Sequence, residues 1–373
     1  MGREKFLRNY DWALLATVIF LGLFGVLMVA ASTNPGDADW QEILGSRFVF
    51  RQGTFLLLGI AVMVFLSIVD YGEWRRFIIP IYVFTLAVLL LVIFRGQSGI
   101  LGAQRWIQIG VFTFQPSEFA KVAVIITLAV VLSKEDRTLD SWLDLAIPLG
   151  HIMPPMALIF IQPDLGTSLV FIAITVGMLF VAGIRWLHLA VLSLSGLIGT
   201  VLAFLFLFKE YQQQRLAIFL DPWQDLQGMG WQIIQSKIAV GSGQFWGRGL
   251  FQGTQNQLDF LPEKHTDFIF SVIGEELGFL GAVALLAAYL FMIWKVFQVA
   301  LEAKDLFGRL LCTGVASMLV FQLVVNVGMT ISVMPVTGLP LPLISYGGSS
   351  LLATCIGMGL VLSVAAHRDT SLF

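Results

Sequence analysis

Residues 12–31 read WALLATVIFLGLFGVLMVAA, twenty consecutive positions without a charge, preceded by Arg3, Lys5 and Arg8. At 1.5 Å per residue a helix of that length spans about 30 Å, the thickness of a bilayer's hydrocarbon core. Ala30-Ala31-Ser32 resembles a signal-peptide cleavage site. The run is longer, however, than the roughly 7–15-residue apolar region of such signals, and it reads as a first membrane helix.

Similar runs recur along the chain. Of its 373 residues 57% are hydrophobic and 12% charged, with a mean hydropathy of +0.86. A soluble domain could not bury that much apolar surface. In lipid only helices or a closed barrel satisfy the backbone, and continuous rather than alternating runs select helices. The expected fold is an all-α integral membrane protein of about ten transmembrane helices. They lie near 12–32, 53–69, 77–94, 117–132, 145–161, 165–183, 187–208, 268–294, 308–331 and 345–366. Residues 1–373 form a single polytopic domain, which includes a long structured loop, 209–266, between the seventh and eighth spans. Pro154-Pro155 should bend or break the fifth span. A net charge of -2 gives no bulk attraction to nucleic acid. Cys312 and Cys355 fall in apolar runs and read as free thiols, and His151, His188, His265 and His367 show no metal-ligand spacing.

Lys/Arg asymmetry sets orientation. Arg3, Lys5, Arg8, Arg75, Arg76, Lys134, Arg137, Arg185, Lys295, Lys304, Arg309 and Arg368 share the N-terminal side, against Arg47, Arg51, Arg95 and Arg105 in the short loops opposite. Both termini are expected in the cytoplasm and the long loop outside. Within that loop Trp231, Ile234 and Ile238 recur at helical spacing, as in a helix lying at the membrane interface. A glycine-rich turn, residues 241–249, follows.

Five constellations carry the chemistry. Residues 259–270, DFLPEKHTDFIF, crowd ionisable groups where the loop meets an apolar helix. An acid there is costly unless it faces water, a partner or a substrate. Thr266 reads as an N-cap, with Asp267 at the positive end of the helix dipole. The same place suits Asp267 as a general base, because partial burial raises its proton affinity. Residues 115–121, QPSEFAK, put Glu118 and Lys121 on one helix face, either as a self-neutralising pair or as groups that tune an acid and meet phosphate. Upstream, Gly102-Ala103-Gln104-Arg105-Trp106 sets a cation beside an indole. Asp164, in Gln162-Pro163-Asp164, caps the next helix or lines the same outer cavity. Glu275-Glu276 cannot both face lipid, so one should meet a cavity or a basic partner. Lastly, the uncharged, proline-rich residues 335–350 suit a re-entrant or packed segment in which Ser345, Gly347 and Gly348 approach a substrate.

Together and in this order, these motifs resemble the SEDS family (shape, elongation, division and sporulation) over essentially all ten spans. Within it, Ile234-Gln235-Ser236-Lys237-Ile238-Ala239, Gly247-Arg248-Gly249 and Gly253-Thr254-Gln255 look like the elongation branch, RodA, rather than the division branch, FtsW. The resemblance implies a peptidoglycan glycosyltransferase of the cytoplasmic (inner) membrane. It would polymerise lipid II, a disaccharide-pentapeptide on undecaprenyl pyrophosphate, during cell elongation and rod-shape maintenance. The family's essential acid maps onto Asp267. Implied partners are a class B penicillin-binding protein transpeptidase and the MreC and MreD elongation machinery, besides membrane lipids. In an inverting transfer Asp267 would take the acceptor proton. Lys121, Arg105, Arg215 or Lys237 would stabilise the pyrophosphate, with room for a divalent cation, Mg or Mn. Trp106, Glu118, Asp164, Lys264, His265 and Ser345 complete the expected substrate-binding or supporting set. Rival classes are a lipid II flippase and a non-catalytic scaffold. The charged motifs gather at one rim, however, whereas transporter sites tend toward the midplane.

Overall fold

The computed structural model describes residues 8–34, 39–98, 104–109, 112–134, 139–206 and 210–368. Arg3, Lys5, Gly102, Ala103 and Arg137 lie outside these residues. Among the described residues, helices stand at all ten expected positions. They are α1 (Trp12–Thr33), α2 (Arg47–Ile68), α3 (Ile78–Arg95), α4 (Pro116–Leu132), α5 (Trp142–Ile161), α6 (Leu165–Val181) and α7 (Trp186–Phe206). After the loop helices α8 (Glu210–Leu220) and α9 (Met229–Ser242) come α10 (Ile269–Leu301), α11 (Leu306–Thr330) and α12 (Gly348–Ala366). Among the described residues, seven helical segments are long and apolar enough to cross a membrane. The 17-residue α4 and α6 are shorter, and α4 carries Glu118 and Lys121 at its start.

Caps fix where helices begin. The Asp11 carboxylate accepts from the Leu14 amide at 2.9 Å, and the Asp305 carboxylate from Gly308 at 2.8 Å. Ser141 and Asp144 form a reciprocal capping box on α5. That helix runs through Pro148, Pro154 and Pro155 as one continuous element, so it is not broken there. Inside a bundle, neighbouring groups re-satisfy the carbonyls that proline leaves. One small departure from all-helix structure lies between α3 and α4. There β1 (Gln97–Ser98), β2 (Gln104–Ile109) and β3 (Phe112–Phe114) pair antiparallel, with Gln97 opposite Trp106 and Ile107 opposite Phe114.

The centre of the bundle is α11 and α12, both largely buried, while α3 exposes Ile79, Val83, Phe84 and Phe94. Lipid tails are as apolar as leucine, so close packing rather than water exclusion must join these helices. Small residues supply it. A side chain at Gly59 would stand 2.8 Å from Cys355 Sγ, and one at Gly359 would stand 2.9 Å from the Met63 carbonyl. These contacts draw α2 onto α12.

At Gly278, φ is +66° and ψ is −164°, and α10 is broken there. The carbonyls of Glu275 and Glu276 accept instead from the amides of Arg248 (3.0 Å) and Gly249 (2.9 Å). The amides of Phe279 and Leu280 donate to the carbonyls of Gln244 (2.8 Å) and Phe245 (3.2 Å). The glycine-rich turn thus replaces, bond for bond, what the helix loses. Its glycines allow the approach, since a Cβ on Gly243 would overlap the Gly274 carbonyl and one on Gly247 the Glu276 carbonyl.

Helix α9 packs beside this break. It turns Gly230, Ile233, Ser236 and Ala239 inward, and Ser236 bonds Ser271 Oγ at 2.6 Å and the Thr330 carbonyl at 2.7 Å. The stripe expected at the membrane interface is therefore the outer one, with Ile238 exposed and Trp231 and Ile234 half-buried.

Gly247→Ala tests this junction. Gly247 has φ +81°, which costs a non-glycine residue about 1–2 kcal/mol before any overlap. Tm of the purified protein in detergent should fall by several degrees, and an unchanged Tm would show that the turn does not hold the break.

Candidate functional site

At the loop end of the bundle a cavity of about 290 Å³ brings distant motifs together. Its walls include Arg105 and Trp106 from β2, Glu118 from α4, Asp164 ahead of α6, Arg215 from α8, and Asp267 ahead of α10. Thr337 and Gly338, from the uncharged segment, close one side.

Asp267 is densely surrounded by protein yet half-exposed toward the cavity. Burial, and next the Glu263 carboxylate, push its pKa up to about 6, while Arg215 and Arg105 oppose the rise and Asp164 adds to it. Among the described residues, none donates a hydrogen bond to this carboxylate. It is not part of a helix cap. Helix α10 begins at Ile269 behind Phe268, without a side-chain cap. The Thr266 hydroxyl, expected as the N-cap, donates instead to Glu263, at 3.1 Å to the carbonyl and 3.0 Å to Oε2. Backbone bonds set the Asp267 segment: Tyr346 N–H donates to the His265 carbonyl at 2.8 Å, and Ser345 Oγ to the Thr266 carbonyl at 2.6 Å. Gly338, at φ +75°, leaves room here, since a Cβ on it would stand 3.4 Å from Asp267 Oδ2.

Two guanidinium groups face the cavity. Arg105 donates to the carbonyls of Gln162 (3.2 Å) and Pro163 and stands 3.8 Å from Asp164 Oδ1. Arg215 donates to the Val336 carbonyl at 3.4 Å. Asp164 fulfils both of its expected roles. It caps α6 through the Thr167 amide (3.2 Å) and hydroxyl (2.9 Å), and it lines the cavity.

Lys121 is 1% exposed and bonds both Glu118 oxygens at 2.8 Å. Glu118 reaches the cavity wall, and Lys121 is not part of it. In this arrangement the pair neutralises itself, and the ammonium lies behind Glu118 rather than on the cavity wall. Four further expected residues, Lys237, Lys264, His265 and Ser345, stand off the cavity. Lys237 is exposed, because α9 turns its small residues inward. Lys264 ties the loop to itself through the Asn256 carbonyl and Asp259 Oδ1 (2.6 Å). His265 packs between Phe48 and Tyr346 at 5.0 and 5.5 Å, and burial lowers its pKa below the usual histidine value. Ser345 turns inward and also accepts from the Leu341 amide at 2.8 Å.

Glu275 and Glu276 are both 0% exposed; the Lys264 ammonium acts on Glu276 from nearby, while their hydrogen bonds go to the loop. Glu275 accepts from the amides of Gln255 (2.8 Å) and Asn256 (3.2 Å), and Glu276 from the Phe251 amide (3.1 Å) and Asn256 Nδ2 (2.9 Å). They anchor the loop rather than a ligand. Glu263, Thr337 and Gly338 are site residues that the sequence reading gave no role. The one signal for Glu263 was its place in the charged cluster.

A second cavity, about 720 Å³, lies between α5, α6, α7 and α8. Met153, Met156, Phe160, Leu169 and Ile172 make it strongly apolar, and it meets the polar cavity at Arg215 and Thr337. Among the described residues, no three His, Cys, Asp or Glu side chains converge to hold a metal ion.

The family model described as "Cell cycle protein", for FtsW, RodA and SpoVE, matches residues 11–370. Peptidoglycan glycosyltransferase MrdB of Escherichia coli K12 is 40% identical over 366 residues, covering 96% of this chain and 94% of that protein. A probable peptidoglycan glycosyltransferase FtsW of Trichlorobacter lovleyi is 38% identical over 364 residues, covering 96% and 94%. Among solved structures, a chain from work on the structural coordination of polymerization and crosslinking by a peptidoglycan synthase complex superposes with a TM-score of 0.80. It is 35% identical, with 96% of this chain and 99% of that chain covered.

Two measurements probe the site. An Asp267 pKa near 6 lies above the unfolded value of 3.8, so the folded state binds the extra proton between about pH 4 and 6. Stability is then full below that window and falls as pH rises through it. Asp267→Asn should therefore raise Tm at pH 7.5, by up to about 3 kcal/mol of stability, and leave it unchanged at pH 4. For the buried pair, Lys121→Met alone should cost about 3–5 kcal/mol, and the double variant with Glu118→Gln much less. Folded, inactive Lys121→Met would mean that the lysine tunes the site rather than supporting the fold.

Proposed function

The chain belongs to the FtsW, RodA and SpoVE family of cell cycle proteins, and on that premise we propose that it is a peptidoglycan glycosyltransferase that polymerises lipid II. The chain acts as one polytopic domain of the cytoplasmic membrane. The Lys/Arg asymmetry supports cytoplasmic termini, with the 209–266 loop and the polar cavity at the outer face. The observation that carries the proposal is a single raised-pKa carboxylate, Asp267, sharing a cavity with two arginines where an apolar groove begins.

Asp267 takes the proton of the acceptor 4-hydroxyl as that oxygen bonds the donor's anomeric carbon. The bond from that carbon to the lipid pyrophosphate breaks, and undecaprenyl pyrophosphate leaves. One in-line displacement inverts the anomeric centre and requires one base. Arg105 and Arg215 receive the negative charge that develops on the leaving group. Lys121 and Lys237 drop out of that role, the first neutralised by Glu118 and the second exposed off the cavity. Lipid tails lie in the groove between α5 and α7, which joins the cavity at Arg215. Among the described residues no three His, Cys, Asp or Glu side chains converge, so in this scheme a Mg or Mn ion would enter with the pyrophosphate.

We assign the chain to elongation on its Ile234–Ala239 and Gly253–Gln255 signatures, with a class B penicillin-binding protein, MreC and MreD as partners. The solved relative from a peptidoglycan synthase complex supports a penicillin-binding partner. Restoration of rod shape to cells depleted of their elongation polymerase would support this assignment. Rescue of division-depleted cells alone would reverse it.

The protein, purified with a transglycosylase-free penicillin-binding partner, should form glycan chains from lipid II. Asp267→Ala should lower the rate at least about 100-fold at equal folding, as expected for removal of a general base. Equal polymer from both would remove Asp267 as the base. A folded complex that makes no polymer but moves lipid II across vesicles would favour transport.

A further inference from the structure

We infer that Asn326, inside the bundle on α11, is a positioning residue that aims Asp267 into the cavity by holding its backbone carbonyl. The inference rests on the reading of Asp267 as the base.

Asn326 is 0% exposed. Its Nδ2 donates to the Asp267 carbonyl at 3.0 Å and to the Leu339 carbonyl at 2.8 Å. A carboxamide nitrogen has two hydrogens, and here each goes to a different chain segment. One segment carries the candidate base. The other begins with Gly338, the residue that lies against Asp267 Oδ2. A single side chain therefore sets the separation between the carboxylate and the wall opposite it.

Two neighbouring bonds show that the arrangement is more than local satisfaction of polar groups. The His265 and Thr266 carbonyls are held by Tyr346 N–H and Ser345 Oγ, and Asn326 holds the third in succession. The first two fasteners come from the uncharged loop, whereas the third comes from a central helix. Asn326 thus references Asp267 to the rigid core rather than to a loop. The charges facing Asp267 are Glu263 on its own segment and, from other elements, Arg215 of α8, Arg105 of β2 and Asp164 ahead of α6. Glu118 of α4 lines the same cavity. Asn326 adds no charge, so its effect is one of placement.

Displacing a reacting group by about 1 Å can cost on the order of 100-fold in rate. In the full-length protein with its partner, Asn326→Leu should lower kcat for lipid II polymerisation by about 10- to 100-fold, with KM changed less than about twofold. Asn326→Ser, smaller and still polar, is the variant to read if the leucine protein does not fold. A second readout needs no activity. Asp267 reacts with a hydrophobic carbodiimide only when protonated, and mass spectrometry of its peptide gives the midpoint. That midpoint, expected near 6 in the parent, should move down toward the ordinary carboxylate range once the side chain swings into water.

Unchanged kcat and an unchanged labelling midpoint in folded Asn326 variants would overturn the inference. Asp267→Asn, assayed alongside, separates it from its premise. An active Asp267→Asn removes the base reading itself. An inactive Asp267→Asn beside fully active Asn326 variants removes only the positioning role.

Discussion

No water enters the hydrocarbon layer, so a backbone amide that leaves a helix there must find its partner in the protein. The break at Gly278 is where this chain meets that constraint. Two carbonyls and two amides are released from α10, and the Gln244–Gly249 turn satisfies all four. Once that turn is fixed, Glu275 and Glu276 are enclosed beneath the next stretch of loop and accept from its amides. Two buried carboxylates, normally a liability, become the anchors of residues 251–257. The segment leading to Asp267 then begins from a fixed point.

The site inherits this rigidity. Asp267 ends a segment whose last three carbonyls are each held from outside it. Its side chain, in contrast, accepts no hydrogen bond among the described residues and faces a cavity. A base needs that combination, because a hydrogen-bonded carboxylate is a weaker proton acceptor. Burial and Glu263 raise its affinity for a proton, and Arg215 and Arg105 limit the rise. The same arginines stand where pyrophosphate charge would develop. Keeping a carboxylate under-solvated costs stability, as is usual where stability and activity compete.

Much of this was legible in sequence. The ten helices follow from uncharged runs, because in lipid the backbone has few alternatives. Asp267, Arg105, Glu118 and Asp164 were each marked by a charge or cap where an apolar run begins, and they converge in one cavity. Other features had no local signature. Thr266 looks like an N-cap, yet its hydroxyl answers Glu263, whose φ of +52° turns it back. Lys237 reads as a cation near the site until the packing of α9 fixes which face is inward. Pro154-Pro155 signals a bend or break, and inside the bundle the helix continues through it. Asn326 is one polar residue in an apolar run, and only the tertiary fold shows which two carbonyls it joins.

The central claim is that one partly buried carboxylate serves as the base. It is tested most directly by the pH–rate profile of lipid II polymerisation, taken with the partner bound and substrate saturating. The account predicts an acid limb with a midpoint near 6, set by Asp267. A rate that stays level down to about pH 4.5, well below that midpoint, would contradict it.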